Sequence, residues 1–283
     1  MRRFFGICCA AVLAVFLTSC AGNPQGATLR TDDPSSSIAP MAFAPIRPLP
    51  SDDIMAFPGQ RRGLAGRTLR VGSIQDIVLA RGEVVLTFDD GPVPGRTTAI
   101  LDALERHNAK ATFLMVGQMA RNHPHLVREV ASRGHTIGSH TQNHPNLAGM
   151  SFERAVADIE AGERSIAAAL IPTRHSASPF FRFPYLADTP ALRRHLAARG
   201  SVVIDVDIDS KDYFQSTPAQ VRERTIRMLE RRGSGIVLFH DLHQRTAAML
   251  PSFLNELQSR GFRVVHLVPA RSGPALASAA PET

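Results

Sequence analysis

Four helix-like segments of this chain end on the same two residues, each directly before an apolar run: Arg133-Gly134, Arg199-Gly200, Arg232-Gly233 and Arg260-Gly261. Glycine supplies the left-handed residue that stops a helix, and arginine complements the negative end of the helix dipole. A chain that returns from helix to strand in this way repeatedly builds a parallel sheet with crossover helices. Strand-like runs fall at 84–88, 111–116, 136–139, 180–182, 202–207, 236–240 and 263–267. Helix-like segments occupy most of the intervals, at 97–107, 119–133, 151–170, 189–198, 217–232 and 246–260. Thr189-Pro190 and Thr217-Pro218 place an N-cap before a first-turn proline, and Gln220 completes a capping box. Seven strands and six helices predict an α/β domain. An irregular barrel and an open doubly wound sheet both put their sites at strand C-terminal ends. No G-x-G-x-x-G or P-loop opens a helix, which favours the barrel, although spacing alone leaves the open sheet as the competing layout.

Polar clusters sit at those strand ends. Thr87-Phe88-Asp89-Asp90-Gly91-Pro92 follows the apolar run 83–86. Neighbours on an extended chain point to opposite sides, so Asp89 and Asp90 do different jobs unless the backbone turns sharply there. The plainer alternative is an Asp-Gly turn with two solvated acids. His140 and His144 lie four apart just past another strand. A helical turn would put both imidazoles on one side, the geometry by which paired histidines grip a metal. Asp90 is the candidate third ligand, and two imidazoles plus a carboxylate leave an open position, as catalytic zinc sites do. His135 reads as a packed core residue. Arg182 lies inside the apolar run Phe180-Phe181-Arg182-Phe183, and a buried arginine needs a carboxylate partner. Asp205, Asp207, Asp209 and Asp212 crowd a fourth strand end, where some are structural or solvated. Residues 236–239 deliver His240 at a fifth. Alone, that histidine would be an ordinary core residue.

In this order TFDDGP, H-T-x-x-H, R-x-P-Y, D-x-x-D with a following aromatic, and L-x-H resemble the five motifs of the polysaccharide deacetylase family, also called the NodB homology domain or carbohydrate esterase family 4. The resemblance spans residues 83–267 and implies an irregular (β/α)7 barrel. It further implies Asp90, His140 and His144 as ligands of one divalent ion, Zn2+ or another such as Co2+. Asp89 would be the general base, oriented by Arg182, and the backbone N–H of Tyr185 would help bind the oxyanion. His240 would be the general acid, held by Asp212, with Leu238 lining the acetyl pocket. Tyr213 stands where the family usually has tryptophan, which keeps an aromatic wall but changes its size and adds a hydroxyl.

The N-terminus sets the compartment. Arg2-Arg3 precede an apolar segment from 4 to 17, then Leu17-Thr18-Ser19-Cys20. The run is short for a bilayer span, and the tetrad resembles the lipobox of bacterial lipoproteins. On that reading Cys20 is lipidated and Cys8 and Cys9 are removed, so no disulfide can form; an ordinary secretory signal is the alternative. Residues 1–19 are then the signal peptide and 20–82 a lipidated, Pro/Ser-rich linker. Residues 83–268 form the deacetylase domain and 269–283 a tail, although 68–79 suit a strand or helix packed on that domain. The protein is expected to be exported and membrane-tethered, at the outer membrane or periplasmic face of a two-membrane cell. The net charge of +7 is almost all arginine, scattered over helices without an aromatic platform. That pattern suits anionic envelope polymers and not nucleic acid. Nothing in the sequence specifies an oligomeric state.

The expected activity is metal-dependent release of acetate from N-acetyl groups of an envelope glycan, N-acetylglucosamine of peptidoglycan or a chitin-like β-1,4 oligomer. The alternatives are an O-acetyl esterase acting on a polysaccharide such as xylan and a non-catalytic glycan-binding lipoprotein. A serine hydrolase lacks its G-x-S-x-G elbow.

Overall fold

A computed structural model describes residues 63–270. The expected signal segment, Cys20, most of the expected linker and the expected tail from 271 lie outside the described residues. In chain order the elements are β1 (Ala65–Val71), β2 (Glu83–Asp89), α1 (Arg96–Arg106), β3 (Thr112–Met115), α2 (Gly117–Asn122), α3 (Pro124–Ser132), β4 (Thr136–Ser139) and α4 (Phe152–Leu170). There follow β5 (Phe180–Phe181), α5 (Pro190–Ala198), β6 (Val202–Val203), β7 (Ile208–Asp209), α6 (Pro218–Arg232), β8 (Gly235–His240), α7 (Gln244–Ser259) and β9 (Arg263–Pro269).

Strand β2 organises the layers. Val84, Leu86 and Phe88 face outward into the core shared with α1 and α7, where Phe88 stacks on Phe113 and Phe239. Val85 faces the other way, into a second cluster with Leu114, Phe180 and Ile236. Side chains alternate along a strand, so Thr87 and Asp89 share the inner side with Val85. Every strand pairing is parallel, and β2 pairs with β3 on one side and β8 on the other. From there β3, β4, β5 and β6 follow in one direction and β7 in the other. This gives an α/β barrel whose seam lies between β6 and β7, where no ladder forms among the described residues.

That seam corrects one expected strand. The run 202–207 stops at Val203, and the chain pairs again only at Ile208. The unpaired carbonyls of Ile204 and Asp205 accept instead from the Arg182 guanidinium, at 2.9 and 3.3 Å. The barrel therefore closes through a side chain at that point. The expected seventh strand, now β9, lies outside the ring and pairs with β1 and the start of β2. Its Val265 and Leu267 pack into the inner cluster with Val71. The folded sheet thus reaches back to Ala65, ahead of Glu83, through the β1–β9 pairing; β1 is half-exposed without clean alternation, so periodicity does not mark it. The expected helix 119–133 is broken at His123, since Pro124 cannot continue it and starts α3 instead.

Candidate active site

The turn that two adjacent aspartates require is present. Asp89 ends β2 inside the barrel, and Asp90 adopts φ 78, a left-handed conformation that swings its carboxylate to the same pocket. Gly91 follows because Asp241 packs against it; a Cβ there would sit 2.0 Å from Asp241 Oδ2. His140 and His144 also meet there, but not through a helical turn. Thr141 and His144 both have positive φ, and the loop is held by the Thr141 hydroxyl, which accepts from the His144 N–H at 3.0 Å. Helix α4 presses on this loop through Gly162, where a Cβ would lie 2.4 Å from the Thr141 carbonyl carbon.

The resulting cluster has a definite polarity. One ligand atom from each of Asp90, His140 and His144 lies within 4.8 Å of the others. Asp90 Oδ1 is 3.2 Å from His144 Nε2 and 3.5 Å from His140 Nε2. His140 donates from Nδ1 to the Arg182 carbonyl at 2.7 Å, which leaves Nε2 as the lone-pair nitrogen facing the cluster. Burial lowers the His140 pKa despite the charges of Asp89 and Asp90, favouring the neutral ring that coordination requires. Asp90 Oδ1 is buried without a hydrogen-bond partner among the described residues. An orphaned carboxylate oxygen between two imidazoles fits a divalent cation well.

Arg182 is 1 % exposed, and its Nη1 donates to Asp89 Oδ1 at 2.8 Å and to Thr87 Oγ1 at 2.7 Å. Asp89 Oδ2 is left facing the cluster, 3.8 Å from His140 Nε2. Across the pocket, His240 Nδ1 donates to Asp212 Oδ1 at 2.7 Å, while Asp212 Oδ2 accepts from the His240 N–H and the Thr246 hydroxyl. Burial opposes a charge on His240, but the hydrogen bond and charge of Asp212, with Asp89 and Asp90 beyond, raise its pKa to about 9. Asp212 is held below the usual range; its own burial is outweighed by His240 and Thr246.

Tyr185, Tyr213 and Leu238 line the same pocket of ≈ 400 Å3. Tyr185 has φ 58 and follows Pro184 in a 3-10 turn whose first bond runs from Leu186 N–H to Phe183 O. Its N–H therefore lies ahead of the turn's own bonding. The Tyr213 ring meets His240 edge-on at 5.4 Å, and its hydroxyl donates to Asp209 Oδ2 at 2.8 Å. All the expected site residues within the described chain thus converge. Two of the acids crowded at that strand end are structural, as anticipated for some of them: Asp205 pairs with Arg193 and Asp207 with Arg232. His135 is a buried residue accepting the Ala111 N–H, its pKa pushed down by burial to about 3.

Asp209, expected among the crowded acids without a role in the pocket, lines it through its bond to Tyr213. Two residues escaped the sequence reading. His243 lines the pocket one turn beyond His240. Asp241 is buried beneath the Asp90 turn, accepts from Thr97 Oγ1 at 2.6 Å, and has its pKa raised by burial to about 7. Adjacency to His240 was the available signal for His243 and Asp241.

The polysaccharide deacetylase family model matches residues 78–203. A peptidoglycan-N-acetylglucosamine deacetylase, PgdA of Listeria monocytogenes, is 32% identical over 64% of this chain and 37% of its own length. The chain thus spans little more than a third of that relative. A chitin deacetylase of Colletotrichum lindemuthianum is 30% identical over 71% of this chain and 84% of its own length. Among solved structures, the Bdellovibrio bacteriovorus peptidoglycan deacetylase Bd3279 superposes with a TM-score of 0.64 at 36% identity, covering 75% of this chain and 59% of that one. With its motifs drawn into one pocket and a relative matched over most of its length, this chain belongs to the polysaccharide deacetylase family.

Proposed function

We propose that this chain hydrolyses N-acetyl groups of an envelope glycan in a metal-dependent reaction, with N-acetylglucosamine of peptidoglycan as the leading substrate. The observation that carries the proposal is the opposition of two buried pairs, Asp89–Arg182 and His240–Asp212, across the Asp90–His140–His144 cluster. Those three residues would hold one divalent ion, Zn2+ suiting the donor set best. Such an ion polarises a carbonyl and acidifies a water, which an unreactive amide needs.

The chain's own groups divide the remaining work. Arg182 fixes one oxygen of Asp89, so the other is aimed at the cluster, placed to take the proton of an attacking water. The Tyr185 N–H would donate to the oxyanion that develops on the carbonyl. His240, kept protonated by Asp212, would deliver its Nε2 proton to the departing nitrogen. Leu238 supplies an apolar floor for the acetyl methyl, and Tyr213 a wall against the sugar.

The mouth favours a polymer. Tyr185, Leu186, Tyr213 and Phe214 are all exposed large apolar side chains, and the first three line the pocket. Such residues at a pocket rim are suited to sugar faces. Export and lipidation at Cys20 would hold the enzyme against this substrate.

The test is acetate release by the full, metal-loaded protein from peptidoglycan, chitooligosaccharides and acetylated xylan side by side. The expected result is acetate matched by new free amines on an N-acetylated glycan. Acetate from xylan alone would make the protein an esterase, and silence on all three with metal bound would end the proposal.

A further inference from the structure

A second hollow, of ≈ 670 Å3 against ≈ 400 Å3 for the catalytic pocket, opens between α2–α3 and α4. Its size falls in the range of about 300–1,000 Å3 typical of ligand sites. Arg121 stands on one wall and Arg164 on the other, with Gln142, Asn143 and Ser165 between them and alanines of α4 forming the floor. Among the described residues no carboxylate lines it. Arg164 meets Glu160 at 3.6 Å with its side chain 69% exposed, a contact too solvated to hold the guanidinium.

Its position relates it to the reaction. Asn143 belongs to this hollow and His144, the next residue, to the catalytic pocket. One loop therefore walls both, and consecutive Cα atoms are only about 3.8 Å apart. That loop is rigidly tied. Asp158 of α4 accepts from the Gln142 and Asn143 N–H groups at 2.9 and 3.1 Å and from the Asn143 amide at 2.7 Å. On the other side, Gly117 and Gln118 donate to the Thr141 and Gln142 carbonyls. The two hollows are thus separated by the thickness of that loop.

Guanidinium groups match carboxylates through paired N–H donors, and two of them over a polar-edged apolar floor suit an acidic peptide. Peptidoglycan strands carry such peptides on alternate sugars; a chitin-like polymer is neutral throughout. We propose that the Arg121–Arg164 groove is a second substrate subsite that takes the carboxylate-bearing stem peptide of peptidoglycan. The proposal rests on the deacetylase reading and narrows its substrate to the anionic polymer.

The test separates the two. Binding of a soluble muropeptide and of the same disaccharide without its peptide is measured by calorimetry on the full chain, for the wild type, Arg121→Gln/Arg164→Gln and Arg121→Glu/Arg164→Glu. The wild type should bind the peptide-bearing form about five- to tenfold more tightly, as two solvated charge pairs allow, and added salt should erode the difference. The neutral variant should lose that preference and the acidic one reverse it. Acetate release from intact and amidase-stripped strands should follow the same order, chiefly in KM. Equal affinities in the wild type, or a preference the variants retain, would overturn the subsite and leave the deacetylase reading standing. A preference lost with the arginines, in a protein that releases no acetate, would sustain the subsite and overturn the catalytic reading.

Discussion

The two walls of the catalytic pocket are built to different states of completion. On the β7–β8 wall, His240, Asp212 and Thr246 satisfy one another, with both Asp212 oxygens engaged. On the β2–β4 wall, Asp89 is locked by Arg182, but Asp90 Oδ1 is buried without a partner and faces two imidazoles. The chain therefore completes the first wall from its own groups, whereas on the proposed function the second would be completed by a cation. Geometry at the first wall belongs to folding; geometry at the second would then belong to folding plus binding.

The sharpest way to break this contrast is His144→Ala. It should remove metal and activity together, with a loss exceeding the ~10^4-fold upper range for a single acid–base group, since the ion's contribution goes too. Metal analysis beside acetate release checks both halves. Asp89→Asn should cost about 10^2–10^4-fold in kcat with metal content unchanged. A metal-free Asp89→Asn protein would instead place Asp89 among the ligands.

The completed wall is probed by pH. In its proposed role His240 acts protonated, and its pKa is raised to about 9, so activity should persist until pH climbs through that value and then fall. A dication held at Asp90 would offset the Asp90 share of this rise and set the alkaline limb of the loaded enzyme lower. Asp212→Asn removes the principal stabilising charge and should move that limb acidward by about 1–3 pH units, read from kcat against pH. An unmoved limb would remove His240 from the acid's role. The smallest effect belongs to the rim. Tyr213→Phe deletes only the hydroxyl bond to Asp209 and should raise KM by about 2–10-fold with kcat nearly kept.

The five motif clusters were legible because each couples unusual residue types to a strand end, where a β/α fold must put its site. The helix stops were legible for the same local reason, an Arg-Gly pair with one conformational use. Strands β5, β6 and β7 are two residues each, too short for periodicity to separate them from their loops, so the seam was read as one continuous strand. The His140–His144 turn misled because spacing of four is equally served by a helix and by two left-handed residues. Phe214, and with it the far rim, carries no motif at all; its exposure is a property of the packed surface.

Arg182 finally makes the ladder-free seam and the proposed proton acceptor interdependent. The same guanidinium that receives the carbonyls of Ile204 and Asp205 also aims Asp89. If the 204–207 segment breathes open, the arginine loses two of its anchors and the carboxylate loses its aim, while the β2–β3–β4 core stays paired. Loss of turnover on heating is then expected to precede loss of helix signal, read from acetate release beside circular dichroism.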